Sequence, residues 1–185
     1  SILGANTLSS GFDVSNSVRF DAGSGPYLSR ATSGDGNQRK FTFSVWLKMD
    51  IHASGATHKI FDHGDATNYF TIYYTEEPYL VVKGRNANSN VLELIPSASF
   101  RDPAAWKHLY VAVDTTQSTA TDRFKLYVNG ELVTSYYGRN NPAQNFDPSN
   151  NQADNGCTQH IGAYTVSGTA YGKFCGYIAE VNHVD

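Results

Sequence analysis

Three kinds of side chain in this sequence could act on a ligand: carboxyls, tyrosines and thiols. Glycoside hydrolysis needs two carboxyl groups about 5–5.5 Å apart for retention, or further apart for inversion. The glutamates are Glu76, Glu77, Glu93, Glu131 and Glu180, and no pair is spaced so that strand alternation aims both into one groove. Glu76 and Glu77 point to opposite faces if extended, and beside Pro78 they read as a solvated turn. No catalytic residue is assigned, and the chain is read as a non-enzyme.

Calcium needs six to eight oxygen ligands converging from loops. Two stretches are acidic and polar enough: Asp62-His-Gly-Asp65 with Asn68, and the loop holding Asp147, Asn150, Asn151 and Asp154. Asp and Asn are equally the residues of tight turns, so the same stretches read as plain turns. Calcium is the cofactor that Asp62, Asp65, Asp147 and Asp154 would admit. The six histidines are scattered, and His58 with His63 do not make a zinc pair.

A carbohydrate site needs exposed aromatic faces beside amide or carboxyl groups. The candidates are Tyr73 (next to Tyr74), Tyr136, Tyr137, Tyr164 and Tyr171, with Asn150 and Asn151. Adjacent tyrosines in a strand face opposite ways, so one of each pair should be outward. Outward tyrosines suit a protein interface equally well. Cys157 and Cys175 are too few for a disulfide scaffold or a cysteine-based zinc site. If 158–164 and 174–180 pair through a turn at Val166–Gly168, these two cysteines lie opposite each other and a disulfide between them is open.

The elements that must position these groups are strands. Gly 16, Tyr 12, Phe 10 and Trp 2 sit among 185 residues of which 17% are charged. That aromatic, turn-rich composition suits strands and loops and argues against a helical bundle or coiled coil. A net charge of -3 gives no electrostatic case for nucleic acid. No run approaches the roughly 18 apolar residues of a spanning helix. The start lacks a basic and apolar leader, so no signal peptide is expected and Ser1 fits a trimmed native start.

The clearest strand is 41–49, with Phe41, Phe43, Val45, Leu47 and Met49 on one face. Segment 122–128 puts Phe124, Leu126 and Val128 inward and runs into Asn129-Gly130, a hairpin signal, then 131–133. Further strands are expected at 17–21, 58–62, 69–75, 79–84, 91–95, 107–114, 158–164 and 174–184. Phe20, Phe70 and Phe174 take inward positions. Arg101–Trp106 supports one helical turn, and 138–156 reads as a long polar loop. Trp46 and Trp106 are read as packing residues, and Gly176 as a bulge or close approach. The regular turn spacing implies a single all-β domain, an antiparallel two-sheet sandwich or barrel.

Four blocks of sequence carry a family resemblance. They are Asn16-Ser-Val-Arg-Phe-Asp21 with Pro26-Tyr-Leu-Ser-Arg30; Lys40-Phe-Thr-Phe-Ser-Val-Trp-Leu-Lys48; Arg101-Asp-Pro-Ala-Ala-Trp-Lys-His-Leu through Val113-Asp-Thr-Thr-Gln117 to Lys125-Leu-Tyr-Val-Asn-Gly130; and His160-Ile-Gly162 with Phe174-Cys-Gly-Tyr-Ile-Ala-Glu-Val-Asn182. Together they resemble the concanavalin A-like jelly-roll domains, laminin G-like and pentraxin-like, in a version common in virion proteins of tailed phages. The resemblance implies a jelly-roll sandwich over residues 1–185, and relatives continue past the last framework strand, so a longer chain is expected. It implies a structural or attachment module of a virion, in a tail fibre, spike or head decoration, assembled in the host cytoplasm with its cysteines initially thiols. The partners it implies are other virion proteins, further copies of the chain and host-surface glycans. A free calcium-assisted lectin is the alternative, and a degenerate glycanase the third reading. The Glu-x-Asp-x-x-Glu strand of glucanases with this fold is missing from the sequence.

Overall fold

The computed structural model describes residues 16–21, 23–32, 34–50, 57–77, 79–100, 102–103, 105–148 and 157–185. Two antiparallel sheets face each other, so the expected jelly-roll sandwich is the architecture observed. The first sheet takes β1 (Val18–Phe20), β3 (Lys40–Met49), β8 (Lys107–Asp114), β9 (Phe124–Val128), β10 (Glu131–Leu132) and β15 (Gly176–Val184), in the spatial order β1-β15-β3-β8-β9-β10. The second takes β2 (Leu28–Ala31), β4 (Thr57–Gly64), β5 (Tyr69–Thr75), β6 (Leu80–Asn86), β7 (Ser89–Pro96), β11 (Tyr136–Asn140) and β12 (Thr158–Ile161). Its order is β11-β7-β6-β5-β4-β12-β2. A small hairpin, β13 (Tyr164–Val166) with β14 (Thr169–Tyr171), stands apart from both.

Alternation builds the core. Phe41, Phe43, Val45, Leu47 and Met49 point inward from β3, and Phe20, Phe70, Phe124 and Phe174 join them. Phe43 and Phe61 meet at 4.7 Å between ring centroids, and Phe41 and Phe70 edge-on at 5.4 Å. Each fully buried side chain of this kind contributes roughly 1.5–3 kcal/mol relative to exposure. Trp46 sits half-buried on the outer face over His108, at 4.9 Å, which makes it a sheet-face packing residue. Trp106 packs similarly near Tyr177, at 6.4 Å.

The Asn129-Gly130 turn joins β9 to β10 with both residues at positive φ, 53° and 83°, as a type I′ turn requires. Gly176 has φ +136°, and an added Cβ would collide with the Lys48 carbonyl. The close approach expected there is what lets β15 start against Met49.

Several expectations need correction. β2 is a fully exposed edge strand whose four residues show no inward apolar face, so periodicity could not reveal it. The turn expected at 101–106 is not helical at Asp102, Pro103, Ala105 or Trp106, and Ala120–Asp122 is a 3-10 turn instead. The polar loop begins later than expected, because Tyr136–Asn140 adds to the edge of β7. The pairing inferred for the cysteines does not form. β12 lies in the second sheet and β15 in the first, and the hairpin between them is the shorter Tyr164–Val166 with Thr169–Tyr171, turning at Ser167-Gly168. Cys157 and Cys175 are not joined by a disulfide. Their carbonyls are used in the framework, accepting from the Thr32 and Asp50 amides respectively.

Candidate functional site

The outer face of the second sheet carries a groove of about 490 Å³, and a break in strand alternation creates it. In β4 the register shifts between Lys59 and Phe61, so Ile60 and Phe61 both turn inward. Lys59 and Asp62, which strict alternation would place on opposite faces, therefore share the outer one. Pairing then lines up three cross-strand rows: Lys59 beside Tyr73, Asp62 beside Thr71 and Lys83, and Gly64 beside Tyr69 and Arg85. Gly64, at φ +130°, leaves room for the Asn68 carbonyl, which a Cβ would strike.

The β13–β14 hairpin walls one side. Its base is tied down by the Lys59 amide donating to the Gly172 carbonyl at 2.7 Å. Thr165 Oγ1 meets His160 Nε2 at 3.1 Å, and His160 is itself paired across the sheet with Asp62. Burial lowers the His160 imidazole below its ordinary value against the opposing pull of Asp62. The hairpin thereby brings Tyr164 over the groove, with Tyr171 against its ring at 5.6 Å.

Lys59 is at the centre. Its Nζ donates to Asp62 Oδ1 at 3.0 Å and Thr71 Oγ1 at 2.6 Å. It also lies 4.8 Å from the Tyr73 ring centroid, 5.1 Å from Tyr164 and 5.8 Å from Tyr69. Cation–π attraction of this kind holds the three rings in place at about 0.5–2 kcal/mol apiece. Burial, followed by Tyr69 and Glu93, keeps the Tyr73 phenol above its usual range. The groove thus combines rigid aromatic walls with a polar floor, an arrangement able to hold a ring that is apolar on one face and hydroxylated at its edge.

Of the residues singled out by sequence, Tyr73, Tyr164, Tyr171, Asp62 and Asp65 are brought together here. Tyr136 and Tyr137 are not. They lie on β11, at the far edge of the same sheet. Tyr136 donates its hydroxyl to the Val133 carbonyl and stacks under Arg139, while Tyr137 is 69% exposed beside Tyr79. Asn150, Asn151 and Asp154 lie outside the described residues. Lys59, Tyr69, Thr71 and Arg85 were missed. Tyr69, Thr71 and Tyr73 alternate along β5 and could have been counted onto one face; Lys59 and Asp62 could not be placed together by counting, because the bulge falls between them.

The three described acidic candidates, Asp62, Asp65 and Asp147, are each taken up by donors of the protein itself. Asp62 faces the Lys59 ammonium, with the two side chains 14% and 12% exposed. Asp65 accepts from the amides and side chains of Thr67 and Asn68. Burial raises its carboxyl, but those hydrogen bonds outweigh burial and hold it below the usual range. Asp147 is clasped by Arg39 through Nε at 2.6 Å and Nη2 at 2.9 Å. Each carboxylate faces donors that a cation would have to displace, and no cluster of three metal-ligating side chains occurs among the described residues. His58 is buried, its Nδ1 near the Lys173 carbonyl. No glutamate among the described residues lines the groove.

The family model of the concanavalin A-like lectin/glucanases superfamily matches residues 9–183, and the chain belongs to that family. No curated protein matches the sequence. Among solved structures, a heptameric SAP-like pentraxin from Limulus polyphemus superposes with a TM-score of 0.60 at 15% identity, covering 94% of this chain and 77% of that one. The CBM40 of Ruminococcus gnavus IT-sialidase gives 0.58 at 17% identity, covering 85% and 91%. Domains LG4-5 of the mouse laminin alpha1 chain give 0.58 at 13% identity, covering 89% of this chain and 40% of that one. At these identities the likeness is one of fold.

Proposed function

We propose that the chain is a non-enzymatic glycan-binding module whose site is the tyrosine-walled groove over β4 and β5. The observation that carries this is the set of Tyr69, Tyr73 and Tyr164 held around Lys59, with Thr71, Asp62 and Arg85 at the floor and edge. Sugar rings pair an apolar face with a hydroxyl rim, and the groove pairs aromatic faces with hydrogen-bonding groups. The sialidase CBM40 that shares the fold was solved bound to alpha2,3 sialyllactose, which supports the class of ligand. A glycan array followed by calorimetric titration tests the reading. Specific binding is expected, and Tyr73→Ala and Tyr164→Ala should each weaken it about tenfold or more without unfolding the protein. No binding at millimolar sugar overturns the reading, and hydrolysis of any bound glycan overturns its non-enzymatic part.

The setting we propose is a phage virion, where such a module would attach the particle to host-surface glycans as an oligomer built into a fibre, spike or head decoration. The support is the set of framework blocks in the sequence, together with a heptameric pentraxin of the same fold. Immunogold labelling of purified particles tests the setting, and protein found only free in the lysate contradicts it.

A further inference from the structure

The groove holds two cations that differ in how they are used. Lys59 is neutralised by Asp62 and engaged by Thr71 and three rings. Arg85 reaches the groove from β6, next to Tyr69, whose ring centroid lies 5.8 Å from the guanidinium carbon. It has no carboxylate partner among the described residues, in contrast to Arg39, Lys40, Lys59, Lys83 and Lys125. Its Nη2 donates to the Asn88 carbonyl, its Nε is buried without an acceptor, and Nη1 donates to no described protein group. A guanidinium is a planar fork of five donors that matches a carboxylate in two places, and it is always charged. Nε is closed off from solvent and so out of a ligand's reach, whereas Nη1 is not enclosed and is the donor that a carboxylate in the groove can meet.

The two acids that share the groove do not cancel this demand. Asp62 is spent on Lys59, and the oxygens of Asp65 are occupied by the donors of Thr67 and Asn68. An acidic group entering at Arg85 would lie beside the Tyr69 ring, whose centroid is 5.8 Å from both the Arg85 guanidinium carbon and Lys59 Nζ. The spacing suits a sugar that carries its charge at the edge of the ring.

We propose that the groove selects acidic saccharides, of the uronic or sialic acid class, with the carboxylate on the Arg85 guanidinium and the ring against Tyr69 and Tyr73. This rests on the glycan-binding reading above and names its ligand class. Charge-assisted pairing at a partly buried guanidinium supports a preference of about tenfold or more over a neutral analogue.

The test is calorimetric titration of the full chain with free N-acetylneuraminic acid, trigalacturonate and, as neutral controls, galactose and lactose, at two salt concentrations. At least one acidic sugar should bind about tenfold more tightly than the neutral sugars, and its affinity should fall as salt rises. Arg85→Gln should remove that advantage, and Arg85→Lys, which keeps the charge and loses the fork, should restore only part of it. Thermal melts of both variants establish that they are folded. Equal affinity for acidic and neutral sugars, or an acidic preference that survives Arg85→Gln, overturns this inference while leaving the glycan reading standing. Failure of every sugar to bind overturns both.

Discussion

Tyr74 and Tyr73 are neighbours in sequence and opposites in environment. Tyr73 looks out over the groove, whereas Tyr74 is fully buried with a hydroxyl that has no hydrogen-bond partner. Burial alone pushes the Tyr74 phenol well above its usual range. A buried hydroxyl without a partner has lost its water and gained nothing in exchange. Tyr74→Phe should therefore keep the ring contact with Phe100 at 6.3 Å and raise stability by about 1 kcal/mol. A denaturant melt of the variant checks this, and a loss of stability would mean that the hydroxyl has a role the geometry does not assign it. That one of each tyrosine pair faces outward was legible from alternation alone; which of the two, and what lies opposite, depended on pairing.

At the scale of elements, the site depends on two irregularities in otherwise regular strands. The β4 bulge puts Lys59 and Asp62 on one face, and the β13–β14 hairpin brings Tyr164 to meet them. Regular strands such as β3, β5 and β8 could be read from apolar spacing, because period two survives wherever one face is buried. The bulge went unread because the adjacent Ile60 and Phe61, between Lys59 and Asp62, break the period of two without showing which residue is the extra one. The cysteine register failed for a related reason: a Gly-rich stretch accommodates several hairpins, and β12 and β15 separate into different sheets. Gly176 was legible as a tight spot, and its backbone explains why. Gly176→Ala forces a side chain into positive φ and against the Lys48 carbonyl. It should cost about 2 kcal/mol or more, which for a chain of this size lowers Tm by roughly 4–8 °C. An unchanged Tm would contradict the β3–β15 register.

At the scale of the whole molecule, the same desolvation that builds the core sets the pH response. Burial lowers the imidazoles of His108, His160 and His183, although Asp62 opposes it at His160 and Asp185 at His183. The His183 ring packs against the core, with centroids 5.7 Å from Phe41 and 5.6 Å from Phe61. An unfolded histidine takes up a proton near pH 6.5, and these three resist doing so when folded. Their effect is therefore absent well above pH 6.5, and stability is lost as pH falls through that value. Asp114 works in the same direction further down. Burial raises its carboxyl, but Thr116, Gln117 and Lys40 outweigh that and hold it at about 2. Its stabilisation, present above about pH 4, is lost as pH falls from there toward about 2, and at 27% side-chain exposure it amounts to no more than about 2 kcal/mol. Urea midpoints should fall between pH 7.5 and 5.5, and His183→Gln should reduce that fall; a flat profile would contradict the burial assigned to these rings. The fold and the groove describe a sandwich that displays a preorganised aromatic site among the described residues. The most direct test of that site is an NMR titration of the ring-labelled tyrosines with a panel of neutral and acidic oligosaccharides. Saturable shifts of Tyr69, Tyr73 and Tyr164 together are predicted; no shift at millimolar sugar, or shifts confined to Tyr136 and Tyr137 on β11, would contradict it.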